Sequence, residues 1–150
     1  MANTTQLGAL KYAPVDANST WQVQLDCIVL PNGASAPSFK LTSEGSRPKG
    51  FKTVTRSGVG VLVVTLEEPW WGVLQASAML NVSPTAGQSV GVTTINGSGP
   101  KIGAVTYPLR GASVFTLTTY TVSTGAAVDV AAGANNQIHL QLTLLSGAPI

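Results

Sequence analysis

Charge is what this sequence has least of. Eight basic and six acidic residues make 9% of the chain, against roughly 25% in an average soluble domain. Disorder does not explain the deficit. Disordered chains combine low hydrophobicity with high net charge, whereas 44% of this chain is hydrophobic and its net charge is +2. Thr, Ser, Gly, Ala, Asn and Gln stand in for the missing charge, beside many Val and Leu. The chain is therefore expected to fold, and its 150 residues are expected to form one domain over 1–150. A free monomer usually keeps soluble by spreading charge over its exterior, while the centres of protein interfaces are depleted in charge. The composition points to an oligomer or a component of a larger assembly.

Catalytic and metal-binding residue types are scarce as well. The one cysteine, Cys27, forms no intrachain disulfide, and its apolar surroundings mark it as a small core residue. Cys27 and the single histidine, His139, cannot supply the three or four ligands of a zinc site. A Ser-His-Asp arrangement would rest on His139 alone, and alternation puts this residue on the more polar side of its strand. It reads as a surface or interface histidine. Glu67 and Glu68 are adjacent, so on a strand they point to opposite faces and cannot pair as the two carboxylates of a glycosidase. Asp16, Asp26, Glu44 and Asp129 are scattered. The glycine-rich "GVG" and "GSGP" lack the lysine and the strand-to-helix context of a phosphate loop. No enzymatic role, cofactor or metal is expected. No apolar run approaches the ~20 residues of a membrane span, and "MANTTQLGALKY" lacks the basic-then-apolar pattern of a signal peptide. Synthesis in a cytoplasm and no membrane partner are expected.

What is present is alternation. "WQVQLDCIVL" sets Trp21, Val23, Leu25, Cys27 and Val29 on one face, with Gln22, Gln24 and Asp26 on the other, a half-buried strand. "QIHLQLTLL" does the same with Ile138, Leu140, Leu142 and Leu144 against His139, Gln141 and Thr143. "VGVLVVTLEE" is apolar enough to be covered on both faces. "KIGAVTYPLR" and "ASVFTLTTYTVS" read as a strand pair across "RG", and "TGAAVDVAAGANN" as a loop. About eight strands near ten-residue spacing, joined by short Gly/Pro turns, predict an all-β fold. It would be an antiparallel β-sandwich or a jelly-roll-like barrel. Residues 1–18 carry the weakest pattern and are expected to form an extended N-terminal arm.

Two stretches stand out as candidate partner-binding surfaces. Lys40, Arg47, Lys49, Lys52 and Arg56 gather five of the eight basic residues. Such a cluster fits a solvated strand edge or an acidic protein surface, with Lys49, Lys52 and Arg56 as the candidate contacts; a nucleic-acid partner is not expected. In "LEEPWWGVLQA" the proline interrupts the strand ahead of Trp70 and Trp71. At such a corner one indole turns inward and the other covers the rim or meets a partner, since tryptophan is enriched at interface hot spots. A glycan platform built from Trp70 and Trp71 is the rival reading.

From Gly58 to about residue 145 the chain resembles a family of small tailed-phage virion proteins of the head decoration or cement type. The likeness lies in "TRSGVGVLVVTLEEPWWGVLQASAML", with its Gly-x-Gly turn, "VTL" strand and acidic residues. It continues in "SVFTLTTYTVSTGAAVDVAAGANNQIHLQLTLL", a Thr-rich strand, a small-residue loop with an Asp and a final alternating strand. The chain departs from the family pattern in "NQIHLQ", where a charged turn is commoner, and in its "GAPI" tail. The resemblance implies a β-rich trimer seated on the exterior of a capsid, with the phage major capsid protein as partner. A fibre or tail component is the other role it implies.

Overall fold

The computed structural model describes residues 14–16, 19–70, 72–82, 87–94, 101–102, 105–106 and 112–145. The described chain is all β. Its strands are β1 (Pro14–Asp16), β2 (Ser19–Leu30), β3 (Ser38–Phe39), β4 (Phe51–Gly58), β5 (Val61–Trp70), β6 (Gly72–Asn81), β7 (Gln88–Thr94), β8 (Lys101–Ile102), β9 (Val105–Thr106), β10 (Ala112–Thr121) and β11 (Gln137–Leu145). Sheet I has the order β1-β2-β11-β6, with β3 also on β2; sheet II has the order β4-β5-β10-β7; β8 and β9 form a separate short ladder. Every pairing is antiparallel. Most of the expected N-terminal arm, and Trp71, lie outside the described residues.

The two sheets face each other because the alternation of their longest strands leaves them no other way to bury one side. Val23, Leu25, Cys27 and Val29 of β2 and Ile138, Leu140, Leu142 and Leu144 of β11 are all buried. They join Leu62, Val64 and Leu66 of β5 and Phe115 and Leu117 of β10 in one hydrophobic cluster spanning both sheets. Each fully buried aliphatic or aromatic side chain of this kind contributes about 1.5–3 kcal/mol. Phe39 and Phe51 meet in a tilted contact with ring centroids 5.7 Å apart, linking the β3 edge of sheet I to the start of sheet II. The fold is thus the antiparallel sandwich that period-two patterning predicts. Its nested pairs, β2 with β11 and β5 with β10, are those of a hairpin wound on itself, as in a jelly roll.

Two local expectations are corrected. "ASVFTLTTYT" does not pair with its sequence neighbour "KIGAVTYPLR"; it lies between β5 and β7, where Phe115 and Leu117 reach the core. The outward residues of β5, Val61, Val63 and Thr65, are half-buried. A sandwich covers only one face of each sheet.

The crossing from sheet II to sheet I falls in "LEEPWWG". Between the pairs Val114↔Thr65 and Ala112↔Trp70, β5 takes five steps while β10 takes two. The surplus bulges outward, leaving Glu67, Glu68 and Pro69 exposed in succession and breaking the alternation. The bulge suits its residues: Pro69 has no N–H to give a ladder, and both carboxylates stay in water. The chain then turns back, Trp70 enters the core, and β6 begins in the other sheet at Gly72. The predicted corner is here, and Trp70 is its inward indole.

At the opposite end of β5, Gly60 closes the β4–β5 hairpin with φ of 66°. A Cβ there would stand 2.5 Å from the Thr119 carbonyl oxygen and 2.7 Å from the Val128 nitrogen. These are backbone atoms of a neighbouring strand and of the β10–β11 loop, which cannot yield. The Gly60→Ala variant is therefore expected to lose at least about 3 kcal/mol of stability, from the positive φ and the overlap together. Urea unfolding followed by tryptophan fluorescence measures this loss.

Candidate functional site

Three regions carry the polar chemistry of the described surface. The first is a clasp at the β4–β5 turn. Arg56 lies on β4, the edge strand of sheet II, with Leu62 as its partner on β5. Its guanidinium reaches the loop between β10 and β11 and grips Asp129, Nε donating to Oδ1 at 2.9 Å and Nη2 to Oδ2 at 2.8 Å. The Gly60 N–H donates to the same Oδ1 at 2.8 Å. Around this fork, the Thr119 N–H donates to the Gly60 carbonyl at 2.7 Å, and the Val128 N–H to the Thr119 carbonyl at 3.0 Å. The buried Thr119 hydroxyl donates to the Val128 carbonyl at 2.6 Å. Planar fork-to-fork geometry of this kind is the strong form of an Arg–carboxylate pair. Arg56, chosen from sequence as a candidate partner contact, is used inside the fold. Asp129 is the piece that sequence reasoning passed over. The available signal was its isolation: it is the only acidic or basic residue after Arg110, set among small apolar residues.

The second region is the segment from Lys40 to Lys52. It is held by backbone bonds, Thr42 N–H to the Ser46 carbonyl at 2.8 Å and Gly45 N–H to the Thr42 carbonyl at 2.9 Å. Pro48 and Gly50 are buried beneath it. Arg47 folds back, donating to the Lys52 carbonyl and approaching Glu67 at 3.8 Å. Lys40, Lys49 and Lys52 stand exposed on this framework. Two of the predicted contacts, Lys49 and Lys52, thus share one exposed segment, while Arg56 is turned toward Asp129.

The third region is a cavity of about 580 Å³ on the outer face of sheet I, where the chain after β3 leaves β2. Asp26, Ile28, Lys40, Leu41, His139 and Gln141 line it. His139 sits between Ile28 and Met79 on the flanking strands, and its Nε2 is shut from solvent with no hydrogen-bond partner. Cys27 also borders the cavity but points into the core. Burial, and secondarily the charge of Asp26, push its thiol up to about 12. A thiol so held is no nucleophile at neutral pH. Among the described residues, no three His, Cys, Asp or Glu side chains gather as they would around a metal ion.

Trp70, the remaining described candidate, is 6% exposed and belongs to the core cluster. Its indole is therefore buried among the core residues and is not presented to a glycan. Comparison with protein-family models, curated proteins and solved structures finds no match for this chain.

The clasp carries a pH dependence with a defined sign. The side-chain hydrogen bonds from Arg56, then the Gly60 N–H, hold the Asp129 carboxyl below its ordinary value. A carboxylate depressed in the fold contributes stability that is present above its unfolded value, about 3.9. That contribution is lost as pH falls through the lower folded one. Asp129→Asn is expected to melt below the wild type at neutral pH, with the gap closing under acid conditions. Thermal melts of both proteins over a pH series check this. Cys27 is expected to resist thiol reagents at mildly alkaline pH in the native chain and to react at once in denaturant, as mass spectrometry reads.

Proposed function

We propose that this chain is a virion structural protein of the head decoration or cement kind, self-associating as a trimer and binding the major capsid shell of a phage. The observation that carries the reading is how charge is distributed on the folded chain. Acidic and basic residues are few. One Arg–Asp pair is used to fasten a loop, and Lys40, Lys49 and Lys52 are each exposed between β3 and the start of β4. A surface of this kind suits contacts that exclude water over a large area, with the lysines steering the approach to an acidic shell. The resemblance over residues 58–145 supports the same reading.

The action of such a protein is mechanical. It bridges neighbouring shell subunits and adds interface area across their joints, where a standard contact buries about 1,600 Å². Self-association makes attachment multivalent, so modest single contacts sum to durable binding. The sandwich suits the task because its β10–β11 loop is fastened to β4 and the β4–β5 turn.

Copy number in purified particles tests the proposal. Stoichiometry near one per major capsid protein is expected, and a few copies per particle would assign the chain to a fibre or tail. In the same particles, Lys49→Glu with Lys52→Glu is expected to weaken shell binding at least tenfold and to flatten its salt dependence, measured by cosedimentation over a salt series.

A further inference from the structure

The structure assigns Asn32 as a site of spontaneous modification, whose conversion to aspartate or isoaspartate is held back by the Arg56–Asp129 clasp. Asn-Gly occurs twice in the sequence, at Asn32 and at Asn96; Asn96 lies outside the described residues. Such a pair is prone to cyclise because glycine has no Cβ to shield its nitrogen from the preceding side chain. In the reaction the Gly33 backbone nitrogen gives up its proton and bonds to Cγ of Asn32. The bond from Cγ to Nδ2 breaks, Nδ2 leaves as ammonia, and a cyclic imide is closed. Water then adds to either imide carbonyl and opens the ring. One opening leaves aspartate; the other leaves isoaspartate, with the backbone routed through the side chain. The Gly33 nitrogen recovers its proton in both cases.

The turn after β2 exposes the electrophile and restrains the nucleophile. Asn32 is exposed, and its Nδ2 makes a long bond of 3.3 Å to the Ala36 carbonyl, so its side chain is open to water. Gly33 has a φ of 57° in a turn closed by the Ser35 N–H donating to the Asn32 carbonyl at 3.0 Å. The Gly33 N–H itself donates to the Val130 carbonyl at 2.8 Å. That bond commits the proton the reaction must remove and fixes the nitrogen relative to Asn32.

The Val130 carbonyl is only as steady as the β10–β11 loop that carries it. Residues 122–127 and 131–135 are exposed, and the middle of the loop is anchored through three successive residues. The Val128 N–H donates to the Thr119 carbonyl, Asp129 accepts from Arg56 and from the Gly60 N–H, and Val130 is buried. When the clasp opens, the Val130 carbonyl moves off and the Gly33 nitrogen is freed. Opening of one loop costs less free energy than unfolding of the whole chain, so the clasp sets the rate at Asn32. The product adds a negative charge to a chain with six acidic residues, in a groove that Asn32 lines together with Lys40 and Gln137. Isoaspartate also lengthens the backbone of the turn and draws Gly33 out of line with Val130, so conversion loosens the loop that delayed it.

Site-resolved mass spectrometry of the purified full chain, incubated in mildly alkaline buffer, reads conversion at Asn32. The same chain in denaturant supplies the unrestrained rate. Native wild type is expected to convert at least about tenfold more slowly than the denatured chain. Asp129→Ala is expected to convert at least about threefold faster than native wild type, and Arg56→Gln, expected to do the same, serves if Asp129→Ala fails to fold. Circular dichroism melts establish that each variant is folded. Val73→Ala trims the core near the sheet crossing, at the opposite end of β5 from the clasp; it lowers stability and is expected to keep the wild-type rate. Equal rates in native and denatured wild type overturn the restraint on Gly33. Wild-type rates in the folded clasp variants, or equal acceleration by Val73→Ala, overturn the clasp as its gate.

Discussion

The sandwich depends on the close approach at Gly60. The β4–β5 turn, β10 and the long β10–β11 loop meet there with no room for a side chain, and Asp129 ties them by accepting from the Gly60 N–H and from Arg56. Without that junction the loop would have only its own small residues, which bury little area, to hold it over the end of the sheets. With it, the loop delivers Val130 to a buried position, and the Val130 carbonyl accepts from the Gly33 N–H at 2.8 Å, so the turn after β2 is drawn in as well. One carboxylate thus organises connections belonging to both sheets. Arg–carboxylate geometry works well here because the pair is only partly buried: it keeps some solvent and escapes most of the desolvation cost of a deep pair.

The parts of the fold written in period two were legible. β2 and β11 each alternate an apolar and a polar set over most of their length, and that alternation states which side is inward without naming the partner strand. β5 was less legible because Val and Thr fit either a buried face or a neutral outward one. The local pairing of "KIGAVTYPLR" with "ASVFTLTTYTVS" failed for a different reason. Hairpin signals report sequence neighbours, and β10 finds larger apolar surface on strands further away. The candidate contacts divide along the same line. Lys49 and Lys52 are exposed, as residue type suggests, but Arg56 and Trp70 have structural duties that depend on positions brought together only by folding. The carboxylate that claims Arg56 is 73 residues away, beyond any local pattern.

Economy of charge links the fold to the proposed role. Ordinary domains spend charged residues on keeping apart from their neighbours. This chain uses one pair as a fastener, keeps two glutamates in a bulge at the sheet crossing, and stands three lysines on one segment. Apart from Asp26 on the outer face of sheet I, much of the described sheet surface is uncharged, with little to repel a similar surface and little hydration to lose on meeting one.

The nested pairing has a consequence for how the molecule comes into being. β11 is the strand that β2 and β6 share, and Val29 of β2 is matched to Ile138 of β11. Until β11 leaves the ribosome, the first half of sheet I has no central partner, and its apolar edge must wait while most of the chain is made. Contacts of such long sequence separation carry their loop-closure cost before any return, which makes folding slow. During that interval β2 offers an unfilled edge to any strand nearby, including those of other nascent copies. A chain with so little repulsive charge is poorly defended then, so the neutrality suited to assembly after folding is a hazard before it.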